Sequence, residues 1–375
     1  MHRASKTATA AVAIFALAFP APVSAAPAAK LGAKCAFVGK TAKSGSTKLV
    51  CAKRRGALVW TKAPAPKPSG PTQSVPPVVT LSTTAENAFR AITSAAAAAP
   101  KASAALDVRR SPNATGPWVE WTVTNLALAV NLWAPQYLPS SPLPQLFFTE
   151  KDREWFEQQL RVEQFAERDI AAQLKQFDDF LGNNMTWAGA TGSDGHVLNT
   201  YTRLTTNTDV DRDYGVRQGP PHEWTHMAQM IYRDKMPCWF TEGSAMFYGI
   251  VLASTDATDF WTMRLQLIGD RFNGSTRAFI ADIPSGGWPA WLEANDVDYD
   301  HSKCGPNGAY AVGAVLTEYL VSLKGHQGVV DFMTKTGMDG YTWQSAMVEV
   351  FGLSHEQWLV KADAYLRDVQ QQVGS

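Results

Sequence analysis

The chain has 375 residues, of which 45% are hydrophobic and 18% are charged. These fractions are typical of a globular protein and exclude a chain that is disordered throughout. The 34 basic residues balance 34 acidic residues, so the formal net charge is zero. A neutral molecule has no overall electrostatic attraction to nucleic acid. We therefore expect no nucleic-acid partner.

Residues 1–25 are predicted to be a signal peptide. A basic start is followed by a continuous run of small and apolar residues from Thr7 to Phe19. Val23-Ser24-Ala25 then fits a small-residue cleavage site. The apolar run is shorter than the roughly 20 residues that a bilayer-spanning helix needs. No later stretch has such a pattern, so the sequence predicts a secreted protein without a transmembrane span.

Export into an oxidising compartment favours disulfides among the four cysteines of the chain. Four cysteines allow three pairings. Proximity in the sequence and the domain boundary described below favour Cys35–Cys51 and Cys238–Cys304. A zinc site made of thiolates is the rival interpretation, but the chain has no Cys-x-x-Cys spacing.

Residues 30–62 are predicted to form a small β-rich module pinned by Cys35–Cys51. This stretch resembles short modules of exported actinobacterial proteins, which have a Gly-x-x-Cys start and a Leu-x-Cys then Trp end. Between Ala26 and Ala85 there is no Asp or Glu, whereas ten Lys and Arg lie from Lys30 to Lys67. The stretch is therefore either a soluble basic spacer or a surface that adheres to an anionic cell wall or membrane.

Residues 63–80 form a stiff Pro-rich linker, and residues 81–375 form the main domain. Hydrophobic spacing predicts the order of elements in this domain. They are a helix over Ser82–Pro100, strands within Trp118–Val130, a short strand at Leu146–Thr149, a helix over Glu150–Leu181, a strand at His196–Tyr201, a helix over about Pro221–Tyr232, and mostly helices from Ala309 onward, with a capping box at Ser354–Gln357.

A metal-binding motif lies at His222-Glu223-Trp224-Thr225-His226. On a helix, the spacing of four puts His222 and His226 on one face, where both imidazoles can reach one ion. Glu223 points to the neighbouring side, where it can contact a metal-bound water. A catalytic zinc usually takes three protein ligands and leaves one position for water, so a third ligand must come from elsewhere.

Glu242 is the candidate third ligand, and it follows His226 by sixteen residues. That length allows the first helix to end, the chain to turn through Asp234–Pro237, and a second helix to return alongside. Gly243 and Ala245 are small and would let these two helices approach closely.

The pattern His-Glu-x-x-His followed by Trp-x-x-Glu-Gly-x-Ala at residues 222–245 resembles that of the gluzincin metallopeptidases. This group includes thermolysin-like enzymes, aminopeptidase-N-like enzymes and bacterial peptidase MA-like proteins. The resemblance extends from about Leu146 to Val373. It implies an α+β fold in which a small twisted sheet packs on the active-site helix and the C-terminal half is helical.

The resemblance also implies the site residues. One zinc ion would be bound by His222, His226 and Glu242, with Glu223 as general base and acid in peptide hydrolysis. In peptidase MA-like and aminopeptidase-N-like enzymes, a tyrosine at the start of a later helix faces the zinc. Tyr310 matches it and would donate a hydrogen bond to the oxyanion. The alternative is an ordinary tyrosine at a helix start.

The chain departs from the family pattern at two places. Thermolysin-like chains have an aspartate four residues after the ligand glutamate, which orients the first histidine. Here that position is Met246, so the sequence names no orienting partner for His222. The Gly-Ala-Met-Glu-Asn motif of aminopeptidases is absent, which favours an endopeptidase. The segment Trp187–Gly192 could still form an edge strand that pairs with an extended substrate.

The sequence therefore predicts a secreted zinc peptidase that acts on peptides or proteins. Two alternatives stay open: an inactive cell-wall-associated binding protein on a peptidase scaffold, and a zinc amidase that acts on a wall polymer. Inactive relatives usually lose the general base or a ligand. This chain keeps Glu223 and all three presumed ligands, which argues for activity.

Overall fold

The computed structural model of the chain describes residues 30–35, 41–45, 47–54, 57–62, 82–102, 105–183, 187–191, 197–202, 214–230, 232, 235–268, 287–294 and 309–374. The chain divides into two compact units, Met1–Val79 and Thr80–Ser375. The predicted signal peptide and Pro-rich linker lie outside the described residues. In the described ranges, no helix is long and apolar enough to cross a membrane.

The first unit contains an antiparallel sheet of three strands in the order β1-β2-β3. The strands are β1 (Thr41–Ser44), β2 (Thr47–Arg54) and β3 (Ala57–Lys62). Leu49, Cys51 and Trp60 form its small core, and a Cys35–Cys51 disulfide links the N-terminal segment to β2. The predicted strands and disulfide of this region are therefore confirmed.

The second unit is mostly helical. Its helices are α1 (Thr83–Ala98), α2 (Pro117–Trp133), α3 (Arg153–Val162), α4 (Glu167–Asn183), α5 (Tyr214–Gln229), α6 (Cys238–Ala253), α7 (Ala257–Ile268), α8 (Gly287–Ala294), α9 (Ala309–Gly337), α10 (Trp343–Phe351) and α11 (His355–Gly374). Helix α9 leaves the helical conformation at Gly325, where φ is 65°. Glycine suits that position because it has no Cβ to clash at positive φ.

A four-stranded sheet supports these helices. Its strands are β4 (Leu106–Arg110), β5 (Leu143–Thr149), β6 (Trp187–Thr191) and β7 (Val197–Thr202), in the order β4-β5-β7-β6. Strands β4, β5 and β7 are parallel, and β6 runs antiparallel at one edge. Every residue of β5 is buried, because Leu146 and Phe148 pack with α3 and α4 while Phe147 packs with α2 and α5.

Helix α6 lies at the centre of the helical part, and all of its residues are buried. It crosses α9 where Gly243 faces Gly313, and a Cβ on either glycine would overlap the backbone of the other helix. Gly243 therefore permits the approach of α6 to α9, whereas the sequence led us to expect that it served the approach of α5 to α6. The close crossing brings the first turn of α9 beside α6.

Three secondary-structure predictions need correction. The segment Trp118–Val130 belongs to helix α2 and contains no strand; its buried residues recur at helical spacing, which outweighs its β-branched composition. The helix predicted over Glu150–Leu181 is divided into α3 and α4, with Gln164 at φ 59° between them. Helix α5 begins at Tyr214, so the prolines at 220 and 221 lie inside it.

The upstream extension of α5 has a tertiary cause. Val216 is buried against Phe147 and Trp118, and Gly219 lies directly against Ala188 of β6. Packing on the sheet thus stabilises a helical turn that the two prolines alone would discourage. The capping box of the last helix is confirmed, since Ser354 and Gln357 exchange hydrogen bonds of 2.9 and 3.2 Å. The overall class, α+β with a predominance of helix, is also confirmed.

Candidate metal centre

Helices α5 and α6 bring the three predicted ligands together. His222 Nε2 lies 3.0 Å from His226 Nε2. Glu242 Oε2 lies 3.3 Å from His226 Nε2 and 3.8 Å from His222 Nε2. Three potential ligand atoms, one from each residue, lie within 4.8 Å of one another. The two histidines and the glutamate therefore form a group that could hold one metal ion.

The charges of this group favour a cation. Glu242 is 2% exposed and His222 is 6% exposed, so water screens the charge of Glu242 little. Burial and the nearby His226 lower the pKa of His222 to about 3, which keeps its imidazole neutral. Burial also opposes protonation of His226, but the Glu242 carboxylate outweighs it and raises the pKa of His226 to about 9. The field of Glu242 thus attracts positive charge to the point that the two imidazoles face.

Gln229 holds the second histidine in place. Its Oε1 lies 2.8 Å from His226 Nδ1, and its Nε2 donates to Thr241 O at 3.1 Å and to Ser244 Oγ at 2.7 Å. The amide therefore ties the ring of His226 to the helix that carries Glu242. Because the amide oxygen can only accept, Nδ1 of His226 is the donor, and an ion that displaced the Nε2 proton would bind at Nε2.

Gln229 was not predicted from the sequence. Its signal was present in the spacing, since Gln229 follows His226 by three residues and so shares its face of α5. The partners of its amide lie on a different helix, however, and only the packing of α5 on α6 reveals them. Met246 lies four residues after Glu242, in the hydrophobic core. Because methionine is apolar, this position supplies no carboxylate to His222.

Glu223 lies beside the ligand group, as the motif predicts. Its Oε1 is 4.0 Å from His222 Nε2, and its carboxylate accepts a hydrogen bond from the backbone N–H of Ala190 in β6. Burial raises the pKa of Glu223 to about 7, with a contribution from Glu242 and against the influence of His226. A carboxylate whose pKa is near neutrality can both take and return a proton.

Tyr310 lies next to the first histidine. Its ring stacks on that of His222, with 6.0 Å between the ring centroids and 11° between the ring planes. The residue belongs to the first turn of α9, three residues before the glycine that crosses α6. The close crossing of α6 and α9 therefore brings Tyr310 to the site.

Cys238, the first residue of α6, is disulfide-bonded. Its predicted partner, Cys304, lies outside the described residues, so the pairing stays a prediction.

A comparison of the chain with models of protein families, with curated proteins and with solved structures found no match in any of the three.

Proposed function

We propose that the protein is a secreted zinc peptidase of the gluzincin type that cleaves within peptide chains. One observation carries the proposal: His222, His226 and Glu242 converge on one point, and the carboxylate of Glu223 lies at its side. This is the arrangement of ligands and general base that metal-assisted hydrolysis requires. The resemblance of residues 222–245 to gluzincins supports the same conclusion.

The donor set fits zinc. Two imidazole nitrogens and one carboxylate oxygen are a common ligand set of catalytic zinc sites, with bonds of about 2.0–2.1 Å. In a tetrahedron of that size, two ligand atoms lie about 3.3 Å apart. The separations here of 3.0, 3.3 and 3.8 Å scatter around that value. Three protein ligands also leave a fourth position for water, as a catalytic site needs.

The chain's own residues would divide the work of hydrolysis. A zinc ion bound there would polarise the peptide carbonyl and lower the pKa of a water molecule toward neutrality. Glu223 would take the proton of the attacking water and pass it to the leaving amine. The N–H of Ala190 would hold the Glu223 carboxylate in place between these two transfers. The Tyr310 hydroxyl would donate to the developing oxyanion.

The position of β6 supports an extended peptide as substrate. A backbone N–H in a strand points to one side only, and because that of Ala190 bonds Glu223, we infer that it points away from β7. The edge of β6 that faces away from β7 therefore runs past the general base. An extended peptide that added to this edge would present its backbone to Glu223 and the ligand group.

Metal analysis combined with a turnover assay tests the proposal. We expect the purified mature protein to hold one zinc ion per chain and to cleave a reduced, unfolded protein. A chelator should abolish cleavage, and added zinc should restore it. Absence of metal would overturn the proposal. Bound metal without cleavage of any peptide would favour the inactive binding protein, and cleavage of a wall polymer alone would favour the amidase.

Tyr310→Phe should lower kcat by about 10²-fold, because one donor to the oxyanion is lost. The dissociation constant for zinc should stay unchanged, since Tyr310 is not among the three grouped ligands. Steady-state kinetics on a peptide substrate measure the effect. Tyr319→Phe is the matched control, because Tyr319 lies on the same helix and packs against Trp358 and Tyr365. Unchanged turnover in Tyr310→Phe would show that the ring only packs on His222.

We further propose that the basic module attaches the protein to an anionic polymer of the cell wall. Lys43 of β1 pairs directly with Lys48 of β2, and like charges opposite one another destabilise a sheet. Lys62 pairs with Leu49, on the other face. Positive charge on both faces suits a flexible polymer better than a flat membrane. Within the described part of this module, the exposed cations are Lys30, Lys34, Lys43, Lys48, Lys53, Arg54 and Lys62.

Deletion of residues 26–80 should reduce the fraction bound to isolated cell walls at low salt by at least about tenfold, because the clustered cations are lost. High salt should release the full chain in the same way. Co-sedimentation measures both effects, and vesicles with anionic lipid provide the comparison for a membrane partner. Equal retention of the shortened and full chains would make residues 30–67 a spacer.

A further inference from the structure

Among the described residues, the first histidine of the site has no partner for its second ring nitrogen. His222 Nδ1 is buried, and within the part of the chain that the structure describes it has no hydrogen-bond partner. A histidine that binds a metal through Nε2 almost always donates Nδ1–H to an acceptor, which fixes the tautomer and the orientation of the ring. His226 has such an acceptor in Gln229. His222 should therefore have one as well.

A second buried group nearby is also without a partner in the described ranges. Gln218 is 6% exposed, and its Oε1 has no hydrogen-bond donor among the described residues. Gln218 precedes His222 by four residues on α5, so the two lie one turn apart on one face. A Cβ placed on Gly249 would lie 3.0 Å from Gln218 Oε1 and 3.1 Å from His222 Cβ. The amide oxygen and the imidazole stem therefore border the same small space against α6.

We propose that Gln218 is the positioning residue of His222, with Gln218 Oε1 accepting the hydrogen bond from His222 Nδ1–H. Side chains in a helix point back toward its N-terminus, so the imidazole lies over the turn that contains Gln218. A rotation of the Gln218 side chain gives both buried groups a partner and directs the His222 Nε2 lone pair to the ion. The inference rests on the proposed metal site.

Gly249 and Met246 explain why the acceptor comes from α5. Met246 is apolar and lies in the core, so α6 offers no carboxylate at that position. Gly249 has no side chain, which leaves room for the Gln218 amide between the two helices. Both ligand histidines are then oriented by neutral amides, Gln218 for the first and Gln229 for the second.

Zinc affinity and the spectrum of the cobalt form test this role in the full chain. Competition with a chromophoric chelator gives the zinc dissociation constant. We expect Gln218→Met to weaken zinc binding by about 10- to 100-fold and to shift the visible bands of the cobalt form, because the ring loses its acceptor. Gln218→Glu supplies a stronger acceptor and should bind zinc at least as tightly as the parent. Gln145→Met is the matched control, since Gln145 is also buried with an unpartnered Oε1 but lies on β5.

The outcomes separate this inference from the proposed function. If the parent binds no zinc, or if His222→Ala binds it equally well, the metal site itself is wrong. If zinc binds through His222 while Gln218→Met keeps the parent's dissociation constant and cobalt spectrum, only the role of Gln218 is wrong. Should Gln218→Met not fold, Gln218→Glu decides, because weaker zinc binding in that variant would equally overturn the inference.

Discussion

Glu223→Gln should retain the bound zinc and lower kcat by about 10³-fold, within the range that general acid–base catalysis contributes. The amide has the shape of the carboxylate, and its oxygen can still accept the hydrogen bond from the N–H of Ala190. It cannot take a proton from water, however. The variant therefore removes the proton transfer and keeps the geometry of the site. Metal content and steady-state kinetics on a peptide substrate are the measurements.

Glu154→Gln provides the control for this substitution, because Glu154 is exposed on α3 and the same chemical change is made there. Turnover of the control should match that of the parent. If Glu223→Gln kept its activity within tenfold of the parent, the base would have to be another group. The proposed mechanism would then be wrong, although the metal site could stand.

Glu242→Gln should weaken zinc binding on the order of 10³-fold, beyond the 10- to 100-fold that partners outside the ligand set contribute. The residue is 2% exposed, so its negative charge acts on the two histidines with little screening. A neutral amide removes that charge and offers a weaker ligand atom. Chelator competition gives the dissociation constant, and dialysis followed by metal analysis gives the occupancy.

Glu242→Asp separates the charge from the reach of the side chain. The shorter carboxylate keeps its charge but moves away from the imidazoles, so its affinity for zinc should lie between those of the parent and Glu242→Gln. Parent-like affinity in Glu242→Gln would show that the third ligand comes from another residue. It would not affect the assignment of the two histidines.

The ligand group was predictable because its spacing is local. Two histidines four residues apart lie on one face of any helix. The spacing of sixteen positions from His226 to Glu242 allows the chain to turn and return. The structure brings all three together. The prediction of strands within Trp118–Val130 was wrong because it rested on β-branched composition. The buried residues of this segment recur at helical spacing, and that spacing decides the element.

The outer parts of the site depend on segments that are distant in the sequence. The hydrogen bond from Ala190 to Glu223 joins β6 to α5, and that of Gln229 to Ser244 joins α5 to α6. No periodicity specifies such pairs, because each depends on how the elements pack. The absence of a carboxylate at Met246 is visible in the sequence, whereas the burial of Gln218 beside His222 is visible only in the structure.

By itself, the sequence predicted the group of His222, His226 and Glu242, the disulfide of the basic module and the α+β class, since each follows from residue type and local spacing. Only the tertiary structure decided that Gln229 holds the ring of His226 and that Tyr310 lies beside His222. The physical reason for the position of Tyr310 is the close crossing of α6 and α9 at Gly243 and Gly313. Two glycines 70 residues apart form that contact, and nothing in their local sequence links them.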